Sequence, residues 1–492
     1  MKFVKGVTLL SAAMMLAACG SSSSSDDEEA PVVNAPATYN FTSKVNTAES
    51  SVSYSGQATR QLLINDLKAL IGTADLYTSA EATRLATDAA TAKAEVLERL
   101  NRIYTNGTVA VVTPALNLIE KNVFDGDAEA TPVSISVGET LVLGETLAND
   151  RDDYSELSGD KNLAGKIAGK DNDLTNEFIG WDVTPSDEQS DNDKPDLLIQ
   201  TWFEAIADLA SDGDDTTTYV SATGLDYQQL IQKLLLGAVT YSQAAEDYLK
   251  PSKGLLAQNS VGDKNDTKVY TSLEHHWDEA FGYFGAQRDY NAYTDSQVKT
   301  TPYADADENG LIDLYAEYSF GHSINAVKRD AGAGDETTDF SAAAMNAFLN
   351  GRQLIQDNFG TDPVEGTGYH KYLAQYAETA LNNWENAIAA TLIHYINDYS
   401  AELASLSNAD EDASQADMAK HWSEMKGFAL SLQFSPVAQI TVADLTTVHE
   451  KLGQAPVRVA GVTADAYLVA LEEARDILQA SYGFSDNNVT NW

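Results

Sequence analysis

The chain has 492 residues, 43% of them hydrophobic, enough for one large domain or two ordinary ones around a real core. It carries 74 acidic against 31 basic side chains, a formal net charge of −43. A surface this acidic repels polyanions, which excludes nucleic acid as a partner and disfavours peripheral binding to anionic bilayers.

Residues 1–5 form a short basic start, and 6–15 an apolar run too short to span a bilayer. Leu16-Ala-Ala-Cys19 then resembles a bacterial lipobox, whose cysteine becomes the lipidated first residue of the mature protein. Residues 1–19 therefore read as a lipoprotein signal peptide, with the membrane reached through lipid on Cys19. Gly20, rather than Asp, after that cysteine points to the outer membrane. Cys19 is the only cysteine, so neither a disulfide framework nor a Cys-based zinc site exists. Residues 20–38, opening on five serines and four acids, cannot bury apolar area and read as a tether.

The domain is expected over 39–492. Apolar residues three and four apart predict a helix over 58–71, from Leu62, Leu63, Ile64, Leu67, Leu70 and Ile71. An Ala-rich stripe through Leu85, Val96, Leu97, Leu100 and Ile103 predicts one over 80–104. Residues 108–112 and 133–143 are β-rich and turn-bounded. A polar insertion follows at about 144–190. Helices return over 194–209, 225–249 (ended by Pro251), 272–285 and part of 311–328. Five more are expected over 340–358, 368–406, 414–432, 442–452 and 464–482. The expected fold is mainly α: a helical bundle in one or two sub-bundles, with a long irregular insertion and short β segments.

Potential ligands concentrate between residues 271 and 330. In Glu274-His275-His276-Trp277-Asp278-Glu279, His276 and Glu279 share a helix face, as do His275 and Glu279. Imidazole with carboxylate suits iron, zinc or copper. Two ligands in one turn bind weakly, so the rest must come from other helices. His322, His370, His394 and His421 are available, with Glu385 or Glu424 as acidic partners. His421 and Glu424 share a face and could complete a site with His276 and Glu279. The plainer reading is a polar layer whose members bond to backbone or to one another.

The second signature is Asp305-x-Asp307-x-Asn309-Gly310-Leu311-Ile312-Asp313. Its carboxylates and amide stand at the first, third, fifth and ninth positions of a calcium loop, Gly310 makes the turn, and Leu311 offers its carbonyl. Position twelve, the usual bidentate acid, is Ala316, and Glu317 stands one place late. A metal-free turn rich in Asp and Asn is the alternative. No His-Glu-x-x-His occurs, and Gly321-His-Ser lacks the closing glycine of a nucleophile elbow.

The block around His276 also resembles the His-x-x-Glu element of imelysin-like proteins, with His276 and Glu279 as the matching pair, Phe284-Gly285 as its aromatic–glycine ending, and Glu274 where a glycine is usual. The wider pattern resembles the DUF4856 family. The blocks that carry this are Tyr39-Asn-Phe41, Ser51-Val-Ser-Tyr-Ser-Gly-Gln57, Leu163-Ala-Gly-Lys-Ile-Ala-Gly169, the run from Glu274 to Gly285, and His421-Trp-Ser-Glu-Met-Lys-Gly-Phe428. The resemblance implies a helical envelope protein that binds iron or an iron-containing ligand in support of uptake, alongside an outer-membrane transporter. It assigns no catalytic residue. Two rivals stand beside it. One is a metal-dependent peptidase or other hydrolase with Glu279 as general base, which needs an open coordination position. The other is a calcium-stabilised surface interaction module.

Overall fold

The computed structural model describes residues 30–105, 134–136, 140–141, 161–213, 219–308, 311–406 and 414–492, and the folded unit runs from Val33 to Trp492. Within it the expected mainly α architecture is found. The lipobox, the first β-rich stretch, the insertion up to residue 160, Asn309 and Gly310 lie outside the described residues.

Three helices open the domain: α1 (Ser55–Gly72), α2 (Ala74–Ala86) and α3 (Ala89–Thr105). The single helix expected over 80–104 is thus two, because Thr87 leaves helical φ/ψ and the Asp88 carboxylate restarts the chain by accepting the Thr91 N–H at 2.8 Å. α1 is buried almost all round, so its polar residues are bonded: Arg60 donates to the Asn162 carbonyl and Gln61 to that of Tyr283. α4 (Lys194–Ser211) packs on α2 and α3. Residues 161–190 form no helix or strand, yet Leu163, Ile167 and Phe178 enter the core.

The stretch expected as one helix over 225–249 begins as α5 (Tyr227–Leu235) and continues as π-helical turns at Leu236–Tyr241 and Ala244–Tyr248. Gly237 abuts Ser431 there, and the Thr240 hydroxyl takes the Leu236 carbonyl from the backbone ladder. α6 (Ser272–Phe284) follows, then α7 (Gly321–Arg329), α8 (Phe340–Asp357) and α9 (Gly368–Ser405), the long helix against which α7 and α8 both pack. α10 (Gln415–Ser431), α11 (Val442–Leu452), α12 (Val462–Tyr482) and α13 (Asp486–Asn491) close the chain. α10 bridges α9 and α5, while α12 lies on α9 and α11.

The β structure is slight: β1 (Ser134–Ser136) pairs antiparallel with β2 (Thr140–Leu141) and parallel with β3 (Leu311–Asp313), with Ile135 opposite both Leu141 and Ile312. Among the described residues no helix is long and apolar enough to cross a membrane.

Candidate functional site

α6 starts on a reciprocal cap. Thr271 accepts the Glu274 N–H, and the Glu274 carboxylate accepts the Thr271 N–H. It ends at Gly285, whose φ of 78° is the left-handed stop that glycine adopts without strain. Trp277, Phe281 and Phe284 face α8, and Gly351 leaves room for the Trp277 ring, which any Cβ there would strike.

Two acids of this helix serve a buried knot. Arg352 of α8, wholly buried, donates to Asp278 and to Glu274, both at 2.8 Å, and to the Ser51 hydroxyl at 2.7 Å. Asp278 also accepts the Tyr39 hydroxyl at 2.9 Å and the Ser53 N–H at 3.1 Å. Burial pushes the Asp278 carboxyl up, and Arg352 opposes that push.

The pair expected to bind metal is split. His276 Nδ1 lies 3.2 Å from the Gly254 carbonyl, and the ring leans on Tyr248. Glu279 accepts from Gln57 Nε2 at 2.7 Å, and the imidazole nearest to it is that of His275, at 3.7 Å. His275 in turn stacks on Tyr270 and meets the Ser53 carbonyl. On α10, His421 bonds Glu402 at 2.8 Å, and Glu424 forms an ion pair with Lys233 of α5 at 3.2 Å. Burial works against the Glu424 carboxylate, but Lys233, Lys420 and Lys68 hold it below the usual range. His276, Glu279, His421 and Glu424 do not gather into a group of three or more ligands. The remaining candidates also have partners. His322 meets the Leu236 carbonyl, and burial takes it down to about 4. His370 meets that of Pro251, His394 pairs with Asp398, and Glu385 accepts from Tyr241 and Tyr482.

The acidic loop does gather. One oxygen each from Asp305, Asp307 and Glu317 lies within 4.8 Å of the others, and no further group of this kind occurs among the described residues. Glu317 is nearly buried and organises the turn. One of its oxygens accepts the N–H groups of Ala306 at 2.8 Å and Asp307 at 3.3 Å; the other accepts that of Asp313 at 2.8 Å. Burial pushes its carboxyl up, against these amides. Asp313 sends its own carboxylate to the Tyr315 N–H at 2.8 Å and stands outside the group. Leu311 sits at the head of β3, and Asn309 lies outside the described residues.

A family model described as a domain of unknown function, DUF4856, matches residues 200–446, half of the chain. The chain belongs to the DUF4856 family. Neither a curated protein nor a solved structure matches it. The DUF4856 match takes in α6, the acidic loop and the His421–Glu424 turn, while the blocks at Tyr39, Ser51 and Leu163 precede it. The carboxylate that the sequence pattern undervalued in this DUF4856 protein is Glu317. It was visible as an acid one place beyond position twelve, and the Asp313–Ala316 turn, closed by the Ala316 N–H on the Asp313 carbonyl, brings it back over the loop.

Proposed function

We propose that the protein is a lipid-anchored envelope binding module whose helical body is braced by calcium at the 305–317 loop. Asp305, Asp307 and Glu317 supply carboxylate oxygens, with Asn309 and the Leu311 carbonyl completing the set. The observation that carries this reading is the convergence of those three carboxylates, an all-oxygen donor set suited to a hard cation. Bound calcium would offset the mutual repulsion of the three acids and fix the connection into β3. The lipobox ending at Cys19 supports the anchor.

Less favoured is the iron-uptake role implied by the imelysin resemblance, because His276, Glu279, His421 and Glu424 are bonded to other partners and do not gather. A peptidase with Glu279 as general base would need an open metal site beside it, and Glu279 is bonded to Gln57.

The test uses the chain from Gly20 onward, purified without chelator and analysed for metals, with thermal unfolding followed in calcium and in EDTA. Calcium retention and a raised midpoint, both lost in Asp305→Ala and Glu317→Gln, are expected. A midpoint indifferent to calcium overturns the reading. So does stoichiometric iron or zinc that disappears only in His276→Ala.

A further inference from the structure

Acidic side chains outnumber basic ones 74 to 31, yet one cavity of about 330 Å³ is lined by three lysines and no carboxylate. Lys68 comes from α1, Lys233 from α5 and Lys328 from α7. The side-chain amides of Asn65, Gln228, Gln232 and Asn325 line it too. So does Gly321, the first residue of α7, a helix whose N-terminus has no side-chain cap. Gly321, Ile324, Asn325 and Lys328 fall on one face of that helix, so its positive end and its terminal lysine look into the same space.

Only one of the three cations is neutralised by a direct contact. Lys233 has Glu424 at 3.2 Å, whereas neither Lys68 nor Lys328 makes an ion pair or a side-chain hydrogen bond with any described residue. The charges around Lys68 are Lys233 and Asp226 from the α5 segment and Glu424 and Lys420 from α10. Burial, then Lys233, bring Lys68 down to about 7, and Lys328 is lowered by the same two causes. Lys68 is partly buried and Lys328 exposed, so both ammonium groups can be reached from solvent, and the acids that bear on Lys68 stop short of an ion pair with it.

We propose that this cavity binds a small organic oxyanion: a carboxylate or phosphate ester carried on a hydroxyl-bearing body, the chemistry of an acidic sugar. Lys68 and Lys328 take the oxyanion, and the Gly321 N–H at the start of α7 takes a further oxygen. The amides of Asn65 and Asn325 each offer a donor and an acceptor, the pattern that hydroxyl groups satisfy, and Gln232 adds a donor, its oxygen being taken by Lys233. Tyr318 and Phe320 give the wall an apolar face, and the volume suits a small molecule rather than a polymer. The inference stands apart from the calcium reading.

Calorimetric titration of the chain from Gly20 onward with D-glucuronate, inorganic phosphate and D-glucose tests it, with Lys68→Met, Lys328→Met and Asp305→Ala alongside. At least one anion should bind well ahead of glucose, and each lysine substitution should weaken it about tenfold or more. Glucuronate ahead of phosphate assigns a carboxylate sugar; the reverse order assigns a phosphate ester. The lysine variants should unfold at wild-type or higher urea concentration, so their loss is not loss of fold. Anion binding kept by Asp305→Ala, even if calcium is lost there, separates the two readings. Failure of both anions to bind at millimolar concentration overturns the proposal. So does equal binding of glucose, or binding indifferent to both lysine substitutions.

Discussion

Two regions of this molecule treat their cations in opposite ways. At the junction of α6, α8 and the segment before α1, Arg352 is fully buried and each of its three nitrogens has a partner: Asp278, Glu274 and Ser51. The Phe41 ring lies 4.9 Å from the guanidinium carbon. Burial opposes its charge, but Asp278 and Glu274 outweigh that and hold Arg352 above its ordinary range. In the cavity between α1, α5 and α7, Lys68 and Lys328 have no such partners, and their protons are held less tightly than usual. Arg352 is saturated from within the chain. A cation left open in a concave, polar space is available to something outside it.

The sharpest way to break this contrast is to remove Arg352. Arg352→Met leaves Glu274 and Asp278 buried without their counter-charge, and the expected loss is about 3–5 kcal/mol in urea unfolding. The further changes Glu274→Gln and Asp278→Asn should return part of it, because the stranded charges are then gone. A single-variant loss below about 1 kcal/mol would mean the knot is solvated and the two regions are alike.

Glu317 stands between the extremes. Its carboxylate is saturated by three backbone N–H groups, yet it also lies within ligand reach of Asp305 and Asp307. Calcium at a hundred times its dissociation constant should stabilise the native chain by about 2.7 kcal/mol. Glu317→Gln should abolish that increment and also carry a loss in EDTA, since its single amide oxygen replaces two acceptors and its NH2 faces a backbone N–H on one side. If Glu317→Gln is equally destabilised with and without calcium, Glu317 belongs with Arg352 as a fold residue.

Lys68→Met should have the opposite sign to Arg352→Met, raising stability on the order of 1 kcal/mol at neutral pH. The pH dependence follows from the lowered proton affinity. Between about 7 and the ordinary lysine range the unfolded chain holds a proton that the folded chain has released, so native stability rises with pH across that window. Lys426, wholly buried beside His449 and also brought down to about 7 by burial, adds to the same slope. Urea midpoints from pH 7 to 10 should climb in the wild type and climb less in Lys68→Met. An unchanged slope would show that Lys68 reaches water and that its lack of partners is ordinary.

Much of the fold was legible because helical periodicity is a local signal. The apolar positions of α1, α8, α9 and α10 lie three and four apart, and their ends fall within a few residues of expectation. The break at Thr87 carried a signal too, in Asp88 three residues before Thr91, but an Ala-rich stripe on both sides masks it. The π-helical turns after α5 were not expected: the residues there are helix-like in spacing, and the close approach of Ser431 to Gly237 comes from far along the chain. The candidate sites divide in the same way. Asp305 and Asp307, expected together from their spacing, do meet, but Asp313, expected with them, turns to Tyr315, and Glu317 stands beside them instead. His276 and Glu279 do share a face of α6, but their partners, Gly254 and Gln57, come from elsewhere. Spacing says which residues are neighbours on a helix and nothing about what approaches it. The three lysines of the cavity come from helices far apart in sequence, with no pattern linking them.

The smallest expected effect bears on His421. Its bond to Glu402 raises its pKa above the ordinary histidine value, first through that hydrogen bond, with burial opposing. The native chain therefore binds this proton more tightly than the unfolded one. The pair's contribution is fully present below about pH 6.5 and is lost as pH rises through the higher native value. Both side chains are about one-fifth exposed, 19% and 21%, so the contribution should be only about 0.5 kcal/mol, and His421→Gln should remove it. The same proton reports on metal. A ligating imidazole must be deprotonated, so zinc or iron at His421 would push its titration to lower pH. An NMR titration that stays above the ordinary histidine value with zinc present leaves His421 as a partner of Glu402. A downward shift on adding zinc, absent in Glu424→Gln, would return both residues to a transition-metal site and move this turn from the saturated class of buried charge to the open one.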